Sequence, residues 1–222
     1  MRAIFVLLIL GLSQSSLAGK STRTEYYAIF GSTASELLNE MSSKGPEGFD
    51  GLTHHETRYS YRTKMINGRC RISQRSMDLD IIYTMPRWEN QASADTKLQT
   101  RWKAWYRLLE QHEQRHGAIA ESGYADILSG WQRIGSSDNC QDIKNQVEQV
   151  YNSIRARVRQ QNAEYDQTTN HGQSEGITFK LLAGEDEKNS DPEFEDGNTN
   201  FGWLAFAALI GTLFYIRKSR YR

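Results

Sequence analysis

The segment from Asp95 to about Leu128 constrains the fold more than any other. Leu98, Trp102, Trp105, Leu109, His112, His116, Ile119, Gly123 and Ile127 recur every three or four residues, the spacing of one face of an α-helix. A long helix with one apolar stripe has to lie against a second layer that covers the stripe. The same stripe carries His112-Glu113-Gln114-Arg115-His116. Positions four apart on a helix are neighbours, so both imidazoles can reach one ion. Glu113 is turned by about 100° from His112 and stands beside such an ion rather than binding it. That is where a carboxylate must be to take a proton from a zinc-activated water. Two unliganded histidines in a core stripe would need other hydrogen-bond partners. The expected cofactor is therefore Zn²⁺.

A β-hairpin supplies the second layer. Thr57, Tyr59, Tyr61, Thr63 and Met65 alternate with Arg58, Ser60, Arg62 and Lys64, giving one packed and one wet face. Asn67-Gly68 suits a type I′ turn. The return strand, Cys70 to Met85, puts Met77, Leu79, Ile81, Tyr83 and Met85 on one face. Its phase shifts near Cys70 and Ile72, which predicts a bulge around Ser73 to Arg75, and Pro86 is expected to end it. Upstream, a short strand is expected around Tyr26 to Phe30. A capping box at Thr33 and Glu36 then opens a helix to about Met41. A third long helix, about Asp138 to Glu164, would bury Ile143, Val147, Val150, Ile154 and Val158. These elements predict an α+β, zincin-like fold: an antiparallel hairpin or sheet packed on two long helices, one carrying the His-Glu-x-x-His motif. The tryptophans at 88, 102, 105 and 131 read as core or groove walls.

A third ligand is less evident. Ser122 stands where a further histidine would complete an extended version of the motif, and Glu121 points about 140° away from His116. Asp126, Glu148, Asp166 and His171 remain. The stretch Ala163 to Gly176 lies where the third helix should end, beside the helix that carries His112. His171 is expected as the ligand, with Asp166 behind it accepting its second N–H and Tyr165 donating to a tetrahedral oxyanion. His54 and His55 are adjacent on a strand and point to opposite faces.

The chain ends bear on location. Arg2, an apolar run from Ala3 to Leu12, and small residues at Ser16 and Ala18 predict a signal peptide over residues 1–18. The domain would occupy residues 19–180, followed by an acidic tether at 181–200. An apolar segment, 201–216, precedes a basic end, 217–222. At about 24 Å that segment is short for a ~30 Å hydrocarbon core, but Trp203, Tyr215 and the following cations suit a spanning anchor. Cys70 and Cys140, exported together, are expected to pair. With 27 basic and 27 acidic residues, nothing in the charge points to nucleic acid.

The order of "TEYYAIFGSTASELLNEM", "GPEGFDG", "CRISQRSMDLDIIYTMPRW", "RWKAWYRLLEQHEQRHGAIA" and "EYDQTTNHG" resembles a bacterial family of uncharacterised domains catalogued as predicted secreted zinc-dependent proteases. The similarity runs from Thr24 to Phe179 and includes both cysteines. It implies a secreted zinc metallopeptidase that acts on peptide or protein substrates with Glu113 as general base; the C-terminal segment, outside the similarity, would hold it on the outer side of the inner membrane. A cell-wall peptide hydrolase with the same chemistry and a non-catalytic envelope binding module are the other two readings.

Overall fold

The computed structural model describes residues 19–184. The expected signal peptide, and the tether and apolar segment from 185 onward, lie outside the described residues. Within them run strand β1 (Gly19–Ile29), helix α1 (Ala34–Lys44), strands β2 (Leu52–Ile66) and β3 (Arg69–Trp88), and helices α2 (Thr96–Gln132), α3 (Cys140–Thr169) and α4 (Phe179–Ala183).

Local chemistry explains the boundaries. Thr33 Oγ1 accepts from the Glu36 N–H, and the Glu36 carboxylate accepts from the Ser32 N–H, a reciprocal cap on α1. Asp95 caps α2 and Asn139 caps α3. Asn67 and Gly68 both have positive φ, 52° and 75°, as the tight turn between β2 and β3 requires. Arg62 pairs with Gln74 but Thr63 with Ile72, so Ser73 is the extra residue of a bulge. Pro86 does not end β3, which continues to Trp88. The pairing with β2 stops at Thr84, so Pro86 lies where one side of β3 is an edge and a missing N–H is tolerated.

The sheet is three-stranded and mixed, in the order β1-β3-β2. β2 and β3 form the expected antiparallel hairpin. β1 is longer than expected and lies parallel to β3, from Gly19↔Asp78 to Ile29↔Trp88. A parallel partner needs a long connection, and here α1 and β2 supply it.

The helices cover one face of this sheet. The first half of α2 packs Leu98, Trp102, Trp105 and Leu109 with α1, α4, Met85 and Trp88. Its second half packs Tyr124, Ile127 and Trp131 with Met77, Leu79, Ile81 and Val147. Between these two apolar clusters lies the turn that carries the histidines. α2 and α3 approach closely: a β-carbon at Gly123 would stand 2.2 Å from Val158 Cγ2, and one at Gly130 2.5 Å from Val150 Cγ1. Cys70 and Cys140 are bonded, with Cα atoms 5.1 Å apart, tying the start of β3 to the start of α3. The packed chain continues past Lys180. Leu182 and Ala183 are buried, and Arg101 Nε donates to the Leu182 carbonyl. Among the described residues, no helix is long and apolar enough to cross a membrane.

Candidate metal centre

His112 and His116 project from adjacent turns of α2 toward α3, where they meet Asp166. Their Nε2 atoms are 3.3 Å apart, and Asp166 Oδ1 lies 2.9 Å from His116 Nε2 and 3.3 Å from His112 Nε2. These three residues form a group able to hold a metal ion. Ligands about 2.0–2.1 Å from a tetrahedral zinc are separated by about 3.3–3.4 Å. The observed triangle is therefore close to one face of such a tetrahedron, with a fourth direction left over.

Each imidazole is fixed from behind. Asn162 Nδ2 donates to the Val158 carbonyl, which turns its Oδ1 toward His116 Nδ1 at 2.7 Å. Glu175 Oε2 lies 2.8 Å from His112 Nδ1. Both neighbours are acceptors, so each Nδ1 donates to its neighbour and each Nε2 faces Asp166. Burial alone would lower the pKa of each histidine. The hydrogen bonds of His112 to Asp166 and Glu175, and of His116 to Asp166 and Asn162, outweigh it and raise both. Burial would likewise raise Asp166, but its bonds to the two histidines hold the carboxyl well below the usual range. Asp166 is thus ionised and ready to bind a cation.

Glu113 stands beside the group and does not belong to it. Only 5% of its surface is exposed. The Thr53 hydroxyl, from β2, donates to its Oε2 at 2.6 Å and lies 3.0 Å from its backbone carbonyl. Burial raises the Glu113 pKa against the opposing effects of Thr53, His116 and His112. A raised carboxylate close to two metal-ligand candidates is suited to accept and return a proton.

Asp166, expected behind the metal, instead supplies the third corner of the group. α3 runs through it to Thr169 rather than stopping near Glu164, so Asp166 sits on a rigid helical face. His171 lies outside the group. It is exposed, has a φ of 52° in the turn after α3, and packs on Phe49 with ring centroids 5.6 Å apart. Tyr165 stacks on His112 at 4.8 Å. Its hydroxyl, expected to face an oxyanion, donates to Glu175 Oε1 at 2.8 Å. Asp126 pairs with Arg157, and Glu148 accepts from Tyr59; neither belongs to the group. Thr53, Asn162 and Glu175 were not foreseen. Asn162 had a signal, lying one helical turn before Asp166 on the same face. Thr53 and Glu175 reach the site only through the tertiary fold.

No curated protein and no solved structure matches the chain. The family described as "Bacterial protein of unknown function (DUF922)" matches residues 24–172, a span that holds the hairpin, both cysteines and all three members of the metal group, and the chain belongs to that family.

Proposed function

We propose that this chain is a zinc-dependent peptide hydrolase, with the metal held by His112, His116 and Asp166. The observation that carries the reading is the near-tetrahedral triangle of two Nε2 atoms and Oδ1, with Glu113 locked beside it by Thr53. A two-histidine, one-carboxylate set with an open position is a catalytic rather than a structural zinc pattern. When bound, the metal supplies Lewis-acid activation of water and of the scissile carbonyl. Glu113 accepts a proton from the attacking water and delivers it to the departing amine. Glu175 and Asn162 hold the imidazoles in the metal-binding tautomer, and Tyr165 holds Glu175 while screening His112 from solvent. The disulfide supports a site of action in an oxidising compartment, in keeping with export and an anchor in the inner membrane. Retention of the full-length protein in alkali-washed membranes tests the anchor.

The function is tested with the purified domain, residues 19–184, by elemental analysis and by hydrolysis of a denatured protein and of cell-wall peptides. One zinc per chain is expected, together with cleavage that Glu113→Gln abolishes without loss of zinc. Undiminished cleavage by Glu113→Gln would refute the mechanism. Zinc without cleavage of either substrate would favour a binding module.

A further inference from the structure

His54 and His55 take no part in the metal group. Along β2, residues 53 to 57 alternate strictly, with His54 and Glu56 exposed and Thr53, His55 and Thr57 turned to the helices. Thr53 meets Glu113 on α2, and Thr57 Oγ1 lies 2.8 Å from the Tyr151 hydroxyl on α3. His55 is held between them by its register opposite Ile81. It therefore faces the helices between the contact of Thr53 with α2 and that of Thr57 with α3, and it keeps some contact with solvent. Burial, aided by His54, Arg155 and His116, lowers its pKa to about 4. A neutral imidazole offers one N–H without repelling a cation nearby. The hydroxyl of Tyr165 is already committed to Glu175, so it does not serve this direction.

We propose that His55 contacts the substrate and donates its N–H to the carbonyl oxygen that gains negative charge during hydrolysis. This rests on the peptidase reading. In the step concerned, the water oxygen bonds to the carbonyl carbon and the C=O π pair moves onto oxygen. The water proton passes to Glu113. Collapse then re-forms the C=O bond and expels the nitrogen, which takes the proton from Glu113. His55 stabilises the anionic oxygen and is chemically unchanged. Removing one such donor typically costs about 10²–10³ in rate.

The test uses the zinc-loaded domain and a blocked alanyl phosphinic pseudodipeptide, whose tetrahedral anion mimics that oxygen. Affinity is measured by calorimetry for the wild type, His55→Phe (ring kept, donor lost) and His55→Gln (donor kept). Zinc content and melting temperature are followed alongside. His55→Phe should bind the probe about 100-fold more weakly with full zinc content, while His55→Gln stays within about tenfold of the wild type. Equal binding by the wild type and both variants overturns the role of His55 and leaves the peptidase reading standing. Loss of zinc in both variants would make His55 a support of the metal group and also overturn the proposal. Failure of the zinc-loaded wild type to bind the probe overturns the peptidase reading, and the role of His55 with it. If His55→Phe does not fold, His55→Ala takes its place, with the same expected loss.

Discussion

Replacing Asp166 with alanine separates two arrangements that differ only in which residue closes the metal triangle. Asp166 Oδ1 is 2.9 Å and 3.3 Å from the two imidazole nitrogens, so its loss leaves two ligands and an open face. Glu175 bonds only the far nitrogen of His112, so Glu175→Gln weakens a ligand without removing one. Zinc at 1,000 times its dissociation constant stabilises the wild type by about 4 kcal/mol, a rise in melting temperature of about 8–16 °C for a domain of this size. Loss of an outer hydrogen-bond partner costs about 10–100-fold in metal affinity. The rise in Glu175→Gln should therefore be smaller by about 3–10 °C. In Asp166→Ala the rise should vanish at the same zinc concentration, and in His171→Ala it should be unchanged. The assay is thermal unfolding with zinc against chelator, each variant compared with its own metal-free form so that changes in the apoprotein cancel. A full zinc response in Asp166→Ala, with none in His171→Ala, would refute the assignment.

Thr53→Val removes the donor to Glu113 Oε2; zinc content should be kept while kcat falls by about 10–100-fold, which steady-state kinetics on the loaded domain would check. His55 gives a pH effect of definite sign. Its folded pKa is lowered from 6.5 to about 4, so the unfolded chain binds more protons between those values and stability falls as pH drops through that window. The loss should reach at most about 3 kcal/mol, and denaturant titrations at pH 7 and pH 4 should show it in the wild type and not in His55→Gln. Replacing both cysteines with serine releases a loop closed over 70 residues. On chain entropy that costs about 4 kcal/mol, seen as a lower denaturant midpoint that reducing agent does not lower further.

The hairpin and α2 were legible because each buries one face and shows it in its periodicity. Thr57 to Met65 alternate, and Leu98 to Ile127 step by three and four. β1 was read short because it is exposed from Gly19 to Tyr26 and has little apolar pattern to read. Its parallel pairing with β3 is a distant contact that no local signal encodes. The end of α3 was misplaced for an opposite reason. Asn162, Asp166 and Thr169 continue the helical spacing from Val158, but all three are polar, and Asn162 and Asp166 serve the metal group. A search for apolar periodicity stops before them. His171 drew attention by residue type alone, whereas its positive φ and that of Gly172 belong to the turn that closes α3.

The metal group spans two helices, so its geometry depends on how closely they pack. That dependence can be tested away from the ligands. A β-carbon at Gly123 would stand 2.2 Å from Val158 Cγ2, far inside contact distance, so Gly123→Ala must push α3 outward or displace Val158. The Val158 carbonyl anchors Asn162, and Asn162 orients His116. The strain thus has a direct route to the site. Gly130→Ala makes a similar clash with Val150, but seven residues further on, about 10.5 Å along the axis, where no ligand is anchored. Both variants should lose about 1–3 kcal/mol of stability. Only Gly123→Ala should also bind zinc more weakly in a competition titration against a chelating dye, and Val158→Ala added to it should restore the affinity. If both glycine variants bind zinc as the wild type does, close packing of α2 on α3 serves stability alone and the site is set by its own hydrogen bonds.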